Sequence, residues 1–257
     1  SHPELLADPW GYWVQKRFHS GPEGRVEAYG KIIEHGVRGE NPFKAEGMVR
    51  SFWVDFVEKA ESYNEPGSFT AMTGFEWTST PAGDNLHRVV IFRDGSGKTS
   101  RTLPFTMFDS PDPEGLWKYL ANYEDKVGGQ VLAIPHNGNL SNGLMFRDKT
   151  FSGKKIDRKY AETRIRWEPI VEMTQIKGDG ETHPLLSPED EFAGYENWSL
   201  SNLAGTAAKT DDMLQYEYAR SALKLGLKLG KKTGANPYKF GMIGASDTHT
   251  ALSTTRE

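Results

Sequence analysis

The sequence predicts an α/β fold with a largely parallel, barrel-like sheet. Two observations carry this expectation. Strand-type and helix-type segments alternate from about residue 43 onward, the pattern of strand–helix–strand units. Three strand-type segments also run into metal-ligating side chains at their C-terminal ends, where barrel-like α/β proteins keep their chemistry. Residues 69–77 deliver Glu76, residues 130–136 deliver His136, and residues 239–249 deliver Asp247 and His249. Only four or five strands fit the parallel pattern, so the expectation is an incomplete barrel.

Taken in order, residues 1–40 are rich in Trp, Gly, Pro and charge and read as an irregular lead-in or insertion, with a short helix near 26–34. Trp10, Tyr12 and Trp13 are candidates for a substrate cleft or for packing. Residues 41–257 read as one metallohydrolase-like domain. Met48, Phe52, Phe56 and Ala60, flanked by Val49, Trp53 and Val57, recur at helical spacing, and Glu65-Pro-Gly stops that helix. After the Glu76 strand comes a polar loop and a second strand over 86–92, closed by Asp94-Gly-Ser-Gly. Asp112-Pro113 starts the next helix, with Leu116, Leu120 and Tyr123 facing inward and Gly128-Gly129 ending it. The His136 strand follows, then an Asn- and Gly-rich loop, a polar helix over about 157–167 and a strand over 169–176. Ser187-Pro-Glu-Asp resembles a capping box and predicts a helix start. The last helix is expected from about 210 to 230, leading into the Asp247/His249 strand.

Composition narrows the function classes. Basic residues number 31 against 35 acidic, a net charge of −4, which excludes a protein that grips nucleic acid by phosphate neutralisation. There is no cysteine, so disulfides and thiolate metal sites are excluded and any metal is held by nitrogen and oxygen. That lack favours a periplasmic or secreted location over a cytoplasmic one. No apolar run approaches the roughly 18 residues that span a bilayer, and the N-terminus carries no basic and apolar leader.

The candidate metal ligands are Glu76, His87, His136, Asp247 and His249. In an extended segment, residues two apart point the same way, which sends Asp247 and His249 to one site. An apolar strand disfavours an unpaired carboxylate, so Glu76 is paired, metal-bound or exposed. A carboxylate bridges two cations as a neutral His normally does not, which makes Glu76 the bridging candidate. His87 returns beside Glu76 if the chain doubles back as a hairpin, and its neighbour Arg88 then faces the other way. His183 lies in a polar loop with Lys177, Asp179 and Glu181 that reads equally as a substrate-facing lid or an ordinary loop. With His249, His183 is the candidate catalytic residue. Glu172, mid-strand, is expected to orient a His by hydrogen bond.

The order Gly74-Phe-Glu76, His87, Ile134-Pro-His136 and Ser246-Asp-Thr-His249 resembles the PHP (polymerase and histidinol phosphatase) superfamily of metal-dependent phosphoesterases. Within it, the stretches 74–79, 85–93, 135–139 and 244–250 are most similar to the DUF3604 family. The resemblance covers about residues 45–257. It implies a distorted TIM-like (βα)7 barrel holding two or three divalent cations (zinc, manganese or iron), with Glu76, His87, His136, Asp247 and His249 at ligand positions; His183 has no secure counterpart. PHP proteins begin with an H-x-H strand that this sequence lacks, and the given chain stops eight residues after the His249 motif. Both imply a portion of something longer.

On this reading a hydroxide bridging two cations attacks an anionic small-molecule ester, a phosphate by resemblance, although a sulfate ester or amide suits the same nucleophile. Two rival readings are a non-catalytic, carbohydrate-type binding module and an inactive PHP fragment.

Overall fold

The computed structural model describes residues 3–43 and 46–249. His2, Thr250 of the last motif and the closing stretch 251–257 lie outside the described residues.

Residues 1–40 are not irregular where described. They form α1 (Pro3–Ala7), α2 (Pro9–Phe18) and α3 (Pro22–Arg38). The start signals are local. The Asp8 carboxylate accepts from Gly11 N at 2.7 Å, proline opens each helix, and Gly39 stops α3 in left-handed backbone. The Trp- and Gly-rich composition concealed these caps. Trp10 stacks on Trp13 at 5.1 Å and meets His35 edge-on at 4.7 Å, so it packs α2 against α3 and does not line a cleft.

α4 (Glu46–Glu61) lies where its periodicity predicts, but rotated: Met48, Trp53 and Val57 are buried while Phe56 is exposed. β1 (Gly74–Trp77) and β2 (Arg88–Phe92) then pair antiparallel, joined by a loop containing a short 3-10 turn at 81–83. After α5 (Ser96–Thr99), residues 100–112 carry the chain back across the sheet and α6 (Pro113–Val127) returns it. This path is pinned at both ends. Ser79 Oγ donates to Pro111 O at one end, and Asp94 accepts from Tyr123 Oη and Gln130 N at the other. β3 (Val131–Pro135) therefore enters beside β2 antiparallel. A largely parallel sheet is thus corrected: a helix between two strands forces a parallel pair only when it makes the whole return journey by itself.

α7 (Arg158–Trp167), capped by Asp157, precedes β4 (Ile170–Glu172), β5 (Thr174–Gln175) and β6 (Gly178–Asp179), the last two forming a tight hairpin. α8 (Asp211–Leu214), α9 (Ala219–Thr233) and β7 (Gly241–Ile243) complete the described chain. β7 pairs parallel with β4, the one parallel ladder among the described residues, and no closed barrel forms among them. The fold is mixed α/β with small sheets.

Two further expectations fail for physical reasons. Residues 187–190 form turns, because the cap signal has no apolar period behind it to propagate. The 210–230 helix is split between α8 and α9, where Glu217 turns inward to accept from Lys209 Nζ at 2.6 Å and Gly143 N at 3.0 Å.

The core has two parts. Trp53, Val57, Trp77, Val90, Phe92 and Leu120 fill the space between the three-stranded sheet, α4 and α6. A second cluster, including Phe146, Val171, Ala222, Leu229 and Tyr238, lies under α7 and α9. Glu168, fully buried, accepts from Arg88 Nε at 3.0 Å and Trp117 Nε1 at 2.9 Å and pairs with Arg164 Nε at 3.1 Å. Arg88 indeed faces away from His87, into this network. Among the described residues no helix is long and apolar enough to cross a membrane.

Candidate metal centre

Strand alternation builds the first half of the site. In the β1–β2–β3 register, Glu76 stands opposite Val89, and Val89 opposite Ile134, on one face. Phe75, Trp77, Val90 and Ala133 take the other face, in the core. One step beyond the ladder, His87 and His136 return to the Glu76 face, because side chains alternate with period two. The hairpin does bring His87 back to Glu76. His87 Nδ1 donates to Glu76 Oε1 at 2.8 Å, and His136 Nε2 donates to the same oxygen at 3.0 Å. Asn85 Oδ1 accepts from His87 N at 2.9 Å, and Thr80 Oγ1 lies 3.0 Å from His87 Nε2, fixing the ring so that Nδ1 faces the site.

The second half comes from the chain after β7. Asp247 and His249 are not on an extended strand: β7 ends at Ile243, its residues are exposed, and both site residues have left-handed backbone, with φ of 50° and 54°. For residues other than glycine that conformation costs on the order of 1–2 kcal/mol each. Side-chain bonds hold it in place. Asp247 Oδ2 accepts from Gln175 Nε2 and Lys177 Nζ, and Asp247 Oδ1 accepts from His249 Nε2 at 2.8 Å. Gln175 Nε2 also donates to Asn137 Oδ1 at 2.6 Å, tying this loop to the residue after His136. The halves meet where His249 Nε2 lies 3.6 Å from Glu76 Oε2 and His136 Nε2 lies 3.9 Å from Asp247 Oδ2.

Two overlapping donor groups result, Glu76/His87/His136 and Glu76/Asp247/His249, each with its ligand atoms within 4.8 Å of one another. Glu76 belongs to both, the position a bridging carboxylate needs. Nitrogen and oxygen donors without thiolate are the set that zinc, manganese or iron accepts.

Electrostatics agree with the geometry. Burial opposes the charge on Glu76, but the hydrogen bonds from His136 and His87 outweigh it and hold its carboxyl well below the usual carboxylate range. Burial drives His87 toward the neutral form. For His136, burial acts the same way but is overcome by Glu76, so its pKa is raised. Without metal, the carboxylate form of Glu76 is favoured, His136 is shifted toward its protonated form and His87 toward its neutral form. Asp247 is also lowered: burial opposes its charge, and the Lys177 bond prevails.

The structure thus gathers all five predicted ligands in one place. His183 is elsewhere, with Nε2 3.3 Å from Ser199 Oγ and its ring 5.7 Å from Tyr218; it joins neither donor group. Glu172 makes no orienting bond, since both its Oε1 and His136 Nδ1 are buried without a hydrogen-bond partner. Sequence reasoning missed Gln175 and Lys177 as site residues. Lys177 is at the tip of the β5–β6 hairpin, whose tightness requires Gly178: its φ is 106°, and a Cβ there would meet Trp198 Cβ at 2.7 Å. The rule that selected Glu76, chemistry at the end of a strand, applies equally to the strand ending near residue 176.

A cavity of about 810 Å³ opens onto the cluster, with Glu76, His87, Asp247 and His249 among its lining residues.

Comparisons with curated proteins and with solved structures returned no match. The family profile described as "Protein of unknown function (DUF3604)" matches residues 26–257, from within α3 onward and including the five clustered candidate ligands, and the protein belongs to that family.

Proposed function

We propose that the protein is a divalent-metal-dependent hydrolase of the PHP type acting on an anionic small-molecule ester, a phosphate monoester first. The observation that carries this reading is the sharing of Glu76 between two donor groups at the floor of an open cavity. The superfamily placement rests on the order of the ligands along the chain and not on barrel closure.

Glu76, His87 and His136 would hold one cation, and Glu76, Asp247 and His249 a second. A bound divalent cation supplies Lewis acidity, lowering the pKa of water from about 15.7 toward 7 and polarising the phosphoryl oxygens. The chain's own residues do the rest. Glu76, kept ionised, provides charge for two ligand groups. Lys177, beside Asp247, adds a positive charge that favours an anionic head group. His249 has the most exposed side chain of the five and faces the cavity, where the leaving oxygen departs. In the overall step the oxygen of water bonds to phosphorus, the ester P–O bond breaks, and the alcohol leaves with a proton.

Elemental analysis of the purified protein, with hydrolysis of p-nitrophenyl phosphate before and after a chelator, tests this. The expected result is bound zinc, manganese or iron, with turnover lost on chelation and restored by metal. Protein that neither binds metal nor turns over the ester overturns it.

A further inference from the structure

We infer that the substrate is amphiphilic: a compact anionic head held at the metal cluster, carrying an apolar body that lies against α3 and the 104–108 segment. This deepens the proposed hydrolase reading and rests on it for the head group.

The cavity is sharply divided. Its ionic and histidine lining residues, Glu76, His87, Lys177, Asp247 and His249, all belong to the cluster or bond directly to it, while Tyr29 and Thr106 are the polar side chains of the outer wall. The surrounding wall is mainly apolar, with Ile32, Ile33 and Val37 from α3, and Phe105, Met107 and Phe108 from the 104–108 segment. Several of these side chains stand open. Tyr29 is 59 % exposed, Ile33 43 %, Ile176 52 % and Phe108 37 %. Exposed apolar side chains scattered singly need no explanation, but here they converge on one concavity with polar groups at one end, the anatomy of a small-ligand site. A volume of about 810 Å³ exceeds what a phosphate and a methyl-sized alcohol fill and suits an aryl or medium-chain alkyl alcohol. A sugar or other polyol would leave most of its hydroxyls against Ile, Val, Met and Phe side chains, since the wall offers only the Tyr29 hydroxyl and that of Thr106, which already donates to Asp109, a penalty this wall imposes and a polar wall would not. The wall therefore selects against polar alcohols as well as for apolar ones.

Calorimetric titration of the metal-supplemented protein with non-hydrolysable ethyl-, butyl-, hexyl- and octylphosphonate reads this directly. Affinity should rise about three- to four-fold per methylene until the wall is filled. Ile33→Asn should flatten that slope. Val26→Asn, exposed near the start of the same helix and outside the cavity lining, should leave it intact. A series with no dependence on length, or no binding at any length, overturns the inference. A clear length dependence with no metal and no ester turnover keeps the amphiphile site and overturns the hydrolase reading alone.

Discussion

Glu76, His87 and His136 stand on one face of an antiparallel sheet, with side chains 21 %, 9 % and 1 % exposed, whereas Asp247 and His249 stand on a loop in left-handed backbone, with His249 58 % exposed. The sheet half is positioned by ladder register, which core packing on the opposite face makes hard to change. The loop half is positioned by a few side-chain bonds, chiefly those from Gln175 and Lys177. On the proposed reading, the contrast implies a division of labour: a rigid seat for one cation and an adjustable seat, open to the cavity, for the other.

The substitution with the largest expected effect erases the contrast. Glu76→Gln removes the charge common to both donor groups, so both seats weaken together. With several kcal/mol of charge stabilisation at stake, kcat/KM should fall by about a thousandfold or more, and the metal content of the purified protein should drop in parallel. Retention of one full equivalent of metal would show that the groups do not depend on a shared carboxylate.

Glu168→Ala strikes only the sheet half, from beneath. It strands two buried guanidinium groups, those of Arg88 and Arg164, and a buried indole N–H. Loss of one partner from such a network costs about 3–5 kcal/mol, visible as a thermal midpoint lowered by roughly 10 °C. A midpoint within a degree or two of the parent would mean that the ion pairs contribute little to the sheet.

The loop half is probed by Gln175→Leu, which cuts the tie between Asn137 and Asp247 while conserving bulk. The weaker cation should lose about 10- to 100-fold in affinity while the tighter one is retained, giving a two-phase chelator titration. Simultaneous loss of both ions would erase the distinction between the halves.

The smallest effect is in pH. The lowered pKa of Glu76 contributes stability to the metal-free protein that is present above its ordinary value of 4.5 and is lost as pH falls through the folded value. The raised pKa of His136 contributes stability present below its ordinary 6.5 and lost as pH rises through the higher folded value. On the proposed reading metal displaces the His136 proton, so apparent metal affinity should increase as pH rises from the ordinary 6.5 through the higher folded value, with proton release in calorimetry that depends on the buffer's ionisation enthalpy. A pH-independent affinity would show that His136 is already neutral before metal binds.

Much of the site was legible along the chain because it follows local rules. Apolar alternation around Glu76 and before His136 marks two strands, and the turn-rich stretch between Glu76 and His87 marks a return of the chain. The cap at Asp112 and the stop at Gly128 placed α6, and the polar stretch over about 157–167 placed α7, to within a residue or two. The sheet direction was not legible. It depends on how residues 100–112 cross the end of the sheet, and no local preference of those residues encodes that path. The rotation of α4 has the same origin: its sequence offers apolar groups around a wide arc, and the neighbouring sheet selects Trp53 and Val57 over Phe56.

What the chain's chemistry determined alone is the candidate donor set: two carboxylates and three imidazoles, with no thiol, at the ends of segments too apolar to bury a lone charge. What only the tertiary structure decided is that Glu76 is shared, that Lys177 and Gln175 brace Asp247, and that α3 completes an apolar wall over the cluster. Ligand type is a property of single side chains and short spacings. Sharing, bracing and enclosure are relations between groups up to some two hundred residues apart (Ile32 and His249, on the walls of one cavity, are 217 apart), and arise only when packing brings their elements together.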